Sequence, residues 1–106
     1  MEEKYSFKVI QNGQTHTARV VRSGAGAQGQ ALVLTAEQAA RYQLINLVTL
    51  SSPAKLMLKK KGNDLHLALP GGDVDMPDIV IQDYYLVAGN QLQGQKYINS
   101  TSGINA

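Results

Sequence analysis

Lys59-Lys-Lys-Gly-Asn-Asp-Leu-His-Leu-Ala-Leu69 is the stretch that decides the fold. Leu65, Leu67 and Leu69 take alternate positions, with Asp64, His66 and Ala68 between them, and a repeat of two is the mark of a strand with one face buried. Gly62-Asn63 stands directly before it, and Lys55 to Lys61 before that. Such a dipeptide between two strand-like runs predicts a two-residue hairpin turn of the II′ or I′ kind, in which Gly62 supplies a positive φ. Pro70-Gly-Gly72 ends the second strand.

Towards the N-terminus the same grammar recurs. Tyr5 to Gln11 and Gln14 to Val21 flank Asn12-Gly13, the pair best suited to the two positive φ values of a type I′ turn, so Gly13 is the second structural turn residue. Ser23 to Gly29 is small and unpatterned and reads as a loop. Gln30 to Thr35 reads as a third strand. Thr35-Ala-Glu-Gln38 has the form of a capping box, which predicts one or two turns of helix there. Arg41-Tyr-Gln-Leu-Ile45 returns to strand, and Ser51-Ser-Pro53 breaks the chain.

Towards the C-terminus, Pro77 to Gln82 is apolar through Ile79, Val80 and Ile81 and continues into Asp83-Tyr84-Tyr85-Leu-Val-Ala88, with a turn at Gly89-Asn90. Adjacent strand residues face opposite ways, so one of Tyr84 and Tyr85 is expected in the core and the other on the surface, offered to a partner. From Gln91 onwards the chain is rich in Gln, Asn, Ser and Gly. Residues 1–94 are therefore expected to form a single β domain and 95–106 a polar tail or linker leading into a longer parent chain. Closely spaced strands without βαβ alternation predict an all-β fold. Its form is a small antiparallel meander, sandwich or barrel-like sheet with at most one short helical turn.

Composition bounds the function. With 106 residues there is room for one core. Five Tyr, one Phe and no Trp imply a thin core resting on Leu, Val, Ile and Ala. A formal charge of +2 falls far short of a nucleic-acid-binding surface. Zero Cys excludes disulfides, thiolate metal sites and a Cys nucleophile. It fits either a reducing compartment or an export route that carries unfolded chains. Met1-Glu-Glu-Lys-Tyr-Ser-Phe7 lacks the apolar run of a Sec signal, and no stretch is apolar enough to span a bilayer.

Candidate chemistry is sparse. His16 and His66 read as solvated strand residues. The phosphate-loop, nucleophile-elbow, zincin and dinucleotide-binding motifs are all absent from the sequence, so neither catalysis nor a cofactor is expected. Asp73, Asp75 and Asp78 form the one carboxylate cluster that could hold Ca²⁺, but the turn preference of Asp and Gly explains it without a metal. Lys59, Lys60 and Lys61, with Lys55, form the basic run. Lysine beside a tight turn guards an edge strand against aggregation, and no aromatic residues interleave to stack on bases, so no nucleic-acid partner is expected.

The string Leu56-Met-Leu-Lys-Lys-Lys-Gly-Asn-Asp-Leu-His-Leu-Ala-Leu69, followed by Pro77-Asp-Ile-Val-Ile-Gln-Asp-Tyr-Tyr85, resembles the N-terminal prefix domain of giant RTX-type biofilm adhesins of bacteria, the BapA-prefix-like family. With Arg41 to Ile45 as the preceding strand, the resemblance covers about residues 40–85. It implies a non-catalytic N-terminal structural or retention module of a large surface adhesin, involved in cell adhesion and biofilm formation. The resemblance also implies type I secretion to the cell surface or extracellular space without a Sec signal, a route that disfavours Cys. Expected partners are neighbouring domains of a longer parent chain, outer-membrane secretion components or surface glycans. The interaction residues expected are Tyr84, Tyr85, Lys59, Lys60 and Lys61. The alternative is a glycan- or protein-binding β-sandwich of another surface, pilus or phage protein, working through a sheet face or an open edge strand.

Overall fold

The computed structural model describes residues 4–51, 56–92 and 98–99. The strands are β1 (Lys4–Gln11), β2 (Gln14–Arg22), β3 (Leu32–Thr35), β4 (Arg41–Asn46), β5 (Met57–Lys61), β6 (Asp64–Ala68), β7 (Ile79–Gln82), β8 (Gln91–Leu92) and β9 (Ile98–Asn99). One sheet has the order β2-β1-β4-β8 and the other β3-β7-β6-β5-β9. The protein is all-β. Its helical content among the described residues is a single 3₁₀ turn, Gly26–Gln28.

Both hairpins form where the turn dipeptides stand. Asn12 and Gly13 have φ of 54° and 76°, the two positive values of a type I′ turn. Gly62 has φ of 62° while Asn63 stays in the negative region, which is the II′ arrangement, and Lys61 pairs with Asp64 across it. The first hairpin is not regular throughout. Its register slips between Val9 and Ile10, so that Val9 faces Thr17, Ile10 faces Thr15, and His16 is the extra residue of a bulge.

Alternation then builds the core. Tyr5, Phe7 and Val9 of β1 and Tyr42 and Leu44 of β4 point inward from the first sheet. Leu58, Leu65, Leu67, Ile79 and Ile81 meet them from the second, and all belong to one cluster. Each fully buried Leu, Ile or Phe contributes about 1.5–3 kcal/mol. The core is less aliphatic than composition suggests. Phe7 stacks on Tyr42 (centroids 6.0 Å apart), Tyr42 tilts against Tyr84 (5.9 Å), and Tyr84 meets Tyr85 edge to face (5.0 Å).

Several expectations need correction. The sheets are mixed, because β3 runs parallel to β7, β4 to β8 and β5 to β9, so neither an antiparallel meander nor a closed barrel is formed. The cause is that the chain crosses between sheets: β3 lies in one sheet while its sequence neighbours β2 and β4 lie in the other. The predicted helix after Thr35 does not form. Ala39 has φ of 58°, which no helix accommodates, and the Ala36 amide donates to the Gln82 carbonyl to prolong the pairing of β3 with β7. Ala68, assigned to the outer face, is fully buried. Of the stretch read as a tail, Ile98–Asn99 pairs with β5, and the rest lies outside the described residues, as do Lys55 and the Ser52-Pro53 break.

Candidate functional site

The carboxylates of the Gly-rich turn are not brought to one point. Asp78 is fully buried, and its two carboxylate oxygens accept the amides of Gly26 and Leu69, each at 2.9 Å. Its backbone is equally engaged: the Asp78 amide donates to the Leu67 carbonyl and the Asp78 carbonyl accepts the Leu32 amide. Asp78 thus ties the 3₁₀ turn, β3 and β6 together. Asp73 instead accepts the Asp75 amide at 2.9 Å, a local turn contact. Asp75 is held by the Lys59 ammonium at 2.8 Å, which lowers its carboxyl below the usual range. Among the described residues no group of three His, Asp or Glu side chains converges on one point.

The lysine run divides its work. Lys59 sits on the outer face of its sheet beside Asp75, and the Lys60 ammonium lies 4.9 Å from the centre of the Tyr85 ring, a cation–π contact. Lys61 is exposed beside the turn. β9 pairs with Met57 and Leu58, and Lys59 to Lys61 continue β5 from there to the turn at Gly62-Asn63. His66 lies between Lys59 and Val80 in the ladder. Partial burial lowers its pKa, Lys61 and Lys59 add to the effect, and Asp64 opposes it.

Tyr84 and Tyr85 are not strand residues. Asp83 has φ of 61°, which ends β7, and residues 83–86 form a turn whose amides at Asp83 and Tyr85 donate to the Asp64 carboxylate and the Asn63 carbonyl. Without alternation the two rings no longer part to opposite faces. Tyr84 is buried in the core and Tyr85 is half-buried against it, with both hydroxyls inside. Tyr84 therefore packs the domain instead of meeting a partner. Tyr42 likewise serves the fold, donating its hydroxyl proton to the Asn90 side chain, and burial raises its pKa.

What remains open is an edge. β2 pairs with β1 on one side and has no strand on its other side among the described residues. At nine residues, Gln14–Arg22 is the longest strand among the described residues, and it contains neither Pro nor an acidic residue. Val20 on it is 63% exposed. β3 is the corresponding edge of the other sheet, and a cleft of about 260 Å³ lined by Arg19, Val20, Arg22 and Leu32 lies where the two edges approach. Comparison of the chain with models of known protein families, with curated proteins and with solved structures finds no match. The likeness to the adhesin prefix domain is carried by the quoted residues alone.

The direction of the open groups follows from the ladder. The Lys4 carbonyl accepts the Leu47 amide on the β4 side, so the backbone of Lys4 faces away from Arg22, its Cα partner on β2. The Lys4/Arg22 pair is then non-hydrogen-bonded. Antiparallel alternation makes the Ser6/Val20 and Lys8/Ala18 pairs non-hydrogen-bonded as well, turning the N–H and C=O of Ala18 and Val20 outward. A second exposed feature adjoins this end of the sheet. Asn46 fixes a tight loop by accepting the Val48 and Thr49 amides on its side chain, which leaves Val48 83% and Leu50 74% exposed. The sequence reading named an open edge strand as a contact surface without saying which strand, and it missed the exposed loop tip, although the long acid-free, proline-free run Gln14–Arg22 was visible in it.

Proposed function

We propose that this chain is a non-catalytic structural and retention module of a large bacterial surface adhesin, acting in cell adhesion and biofilm formation through contacts with protein neighbours. The observation that carries the reading is the open outer edge of β2, which offers backbone N–H and C=O groups in a row. Only another extended polypeptide satisfies such a row residue by residue. The apolar loop tip at Val48 and Leu50 offers further contact area at the same end of the molecule. Two side chains of kinds that carry chemistry elsewhere in proteins are here spent on the fold, Asp78 on two amides and Tyr42 on Asn90.

The resemblance supplies the setting: export without a Sec signal to the cell surface, with neighbouring domains of a longer parent chain or outer-membrane secretion components as the contacts. Deleting residues 4–92 from the parent protein in its native bacterium, and measuring adhesin on cells against adhesin in the medium, tests the reading. Retention predicts that the adhesin is made but shed. Unchanged display on the deletion strain would refute it.

A further inference from the structure

Among the described residues the two sheets end on β2, β8, β3 and β9. Shortness, charge and bulges are what keep sheet edges from pairing with one another. β8 and β9 have two residues each, and β2 is bent by the bulge at His16 and carries Arg19 and Arg22. β3 has none of these guards. Gln30 to Ala36 holds neither a charge nor a proline, and the pairing of β3 with β7 runs unbroken from Leu32 to Thr35. The Leu32 amide donates to the Asp78 carbonyl and the Ala36 amide to the Gln82 carbonyl, so the even-numbered residues bond to β7. Ala31, Val33 and Thr35 therefore turn their N–H and C=O to the open side. Val33 is 53% exposed on the outer face, and Leu32 and Leu34 are only partly buried where they lean on the core.

We infer that β3 pairs antiparallel with β3 of a second copy of this chain, joining the second sheets of the two copies into one across a two-fold axis at Val33. The edge is self-complementary in that arrangement. Val33 faces Val33 of the second copy as a hydrogen-bonded pair, and Ala31 faces Thr35 on either side of it, which satisfies the outward N–H and C=O groups of all three residues. On the inner face Leu32 meets Leu34 of the second copy in the closely spaced, non-hydrogen-bonded position, and Leu34 meets Leu32, so both leucines lose the exposure that the single copy leaves them. The neutral run from Gln30 to Ala36 brings no like charges together. The next registers, two positions along, set Leu32 against Ala36 or Leu34 against Gln30 and lose these contacts. A foreign strand would need the same leucine spacing, whereas a second copy supplies it by symmetry. This dimer goes beyond the retention reading, which rests on β2.

Sedimentation velocity of the full chain across a concentration series tests it. Two short strands make a small interface, so the dimer is expected to form at about 0.1–1 mM. Val33→Lys sets two ammonium groups opposite each other at the axis and is expected to weaken association at least tenfold. The circular dichroism spectrum and melting temperature of the dilute protein should not change, because the Val33 side chain is exposed in the single copy. Val33→Glu should behave in the same way. Mixed in equal amounts, the two variants are expected to associate at least tenfold more tightly than either alone, since opposite charges then meet at the axis; a variant that had merely lost stability would show no such rescue. In the parent protein the Val33 and Thr35 amides should exchange more slowly at high concentration than at low, which reads the same edge without a substitution. A chain that stays monomeric throughout, a dimer that survives Val33→Lys, a mixture that associates no better than its components, or a dimer that Val20→Lys dissolves in place of Val33→Lys would overturn the inference. None of these results decides the retention reading, which stands or falls by the display assay alone.

Discussion

Asp78 is buried with one carboxylate oxygen on the part-buried Gly26 amide and the other on the buried Leu69 amide, so Asp78→Ala leaves both donors without their acceptor. Each buried donor left without a partner costs about 1–3 kcal/mol, which gives roughly 2–6 kcal/mol for the pair. Relief from burying a carboxylate offsets part of this, leaving a net loss of about 3 kcal/mol. Small domains hold only about 5–15 kcal/mol in all, so the loss is a large share. Urea unfolding followed by tyrosine fluorescence reads it directly. With a slope of about 1–3 kcal/mol per molar, the midpoint of Asp78→Ala is expected to fall by about 1–3 M with the slope unchanged. Asp78→Asn, which keeps one acceptor oxygen, falls between alanine and the parent. A drop below about 0.3 M for the alanine variant would refute the assignment of Asp78 as the tie between the 3₁₀ turn and the second sheet.

Other consequences are equally direct. Gly26→Ala drives a methyl group into the carbonyl oxygens of Met76 and Pro77, and a thermal melt should show a destabilisation of about 1–3 kcal/mol. Gly62→Val forces a β-branched residue to φ of 62°, with an expected loss of about 1–3 kcal/mol by urea titration, and a neutral result would mean that the hairpin is drawn wrongly. Because Asp73, Asp75 and Asp78 point to different partners, millimolar Ca²⁺ is expected to leave the melting temperature unchanged; a rise that Asp73→Asn with Asp75→Asn removes would restore the metal site. The pKa of His66 lies below its ordinary value, so the unfolded chain binds the proton more readily. Its contribution is complete above about pH 6.5 and is lost as the pH falls below that value, and His66→Gln should flatten the melting temperature across pH 5.5 to 7.5.

The local parts of this fold were legible because short-range physics dictates them. Asn12-Gly13 and Gly62-Asn63 set their turns through φ, and Leu65, Leu67 and Leu69 set the buried face of β6 through alternation. The sheet partners were not legible, since alternation says which face of a strand is buried but not which strand lies beside it; hence the parallel pairs β3–β7 and β4–β8 went unforeseen. The capping box after Thr35 failed because the sheet offered Ala36 a partner in Gln82. Asp83 turned a predicted strand into the turn that buries Tyr84. Asp78 did leave a sign: of the three carboxylates it alone stands directly before the apolar run Ile79-Val80-Ile81, and an acid drawn into the interior stays there only with donors to hold it.

Amide hydrogen exchange along β2 tests most directly the claim that this protein presents an open, directed edge to a neighbour. An alternating pattern is expected in the isolated domain, with Ala18 and Val20 exchanging fast and Arg19 and Val21, bonded to β1, exchanging slowly. Uniform protection from Thr17 to Val21 in the monomer would mean that the edge is already covered, and the contact surface proposed for this module would have to be sought elsewhere.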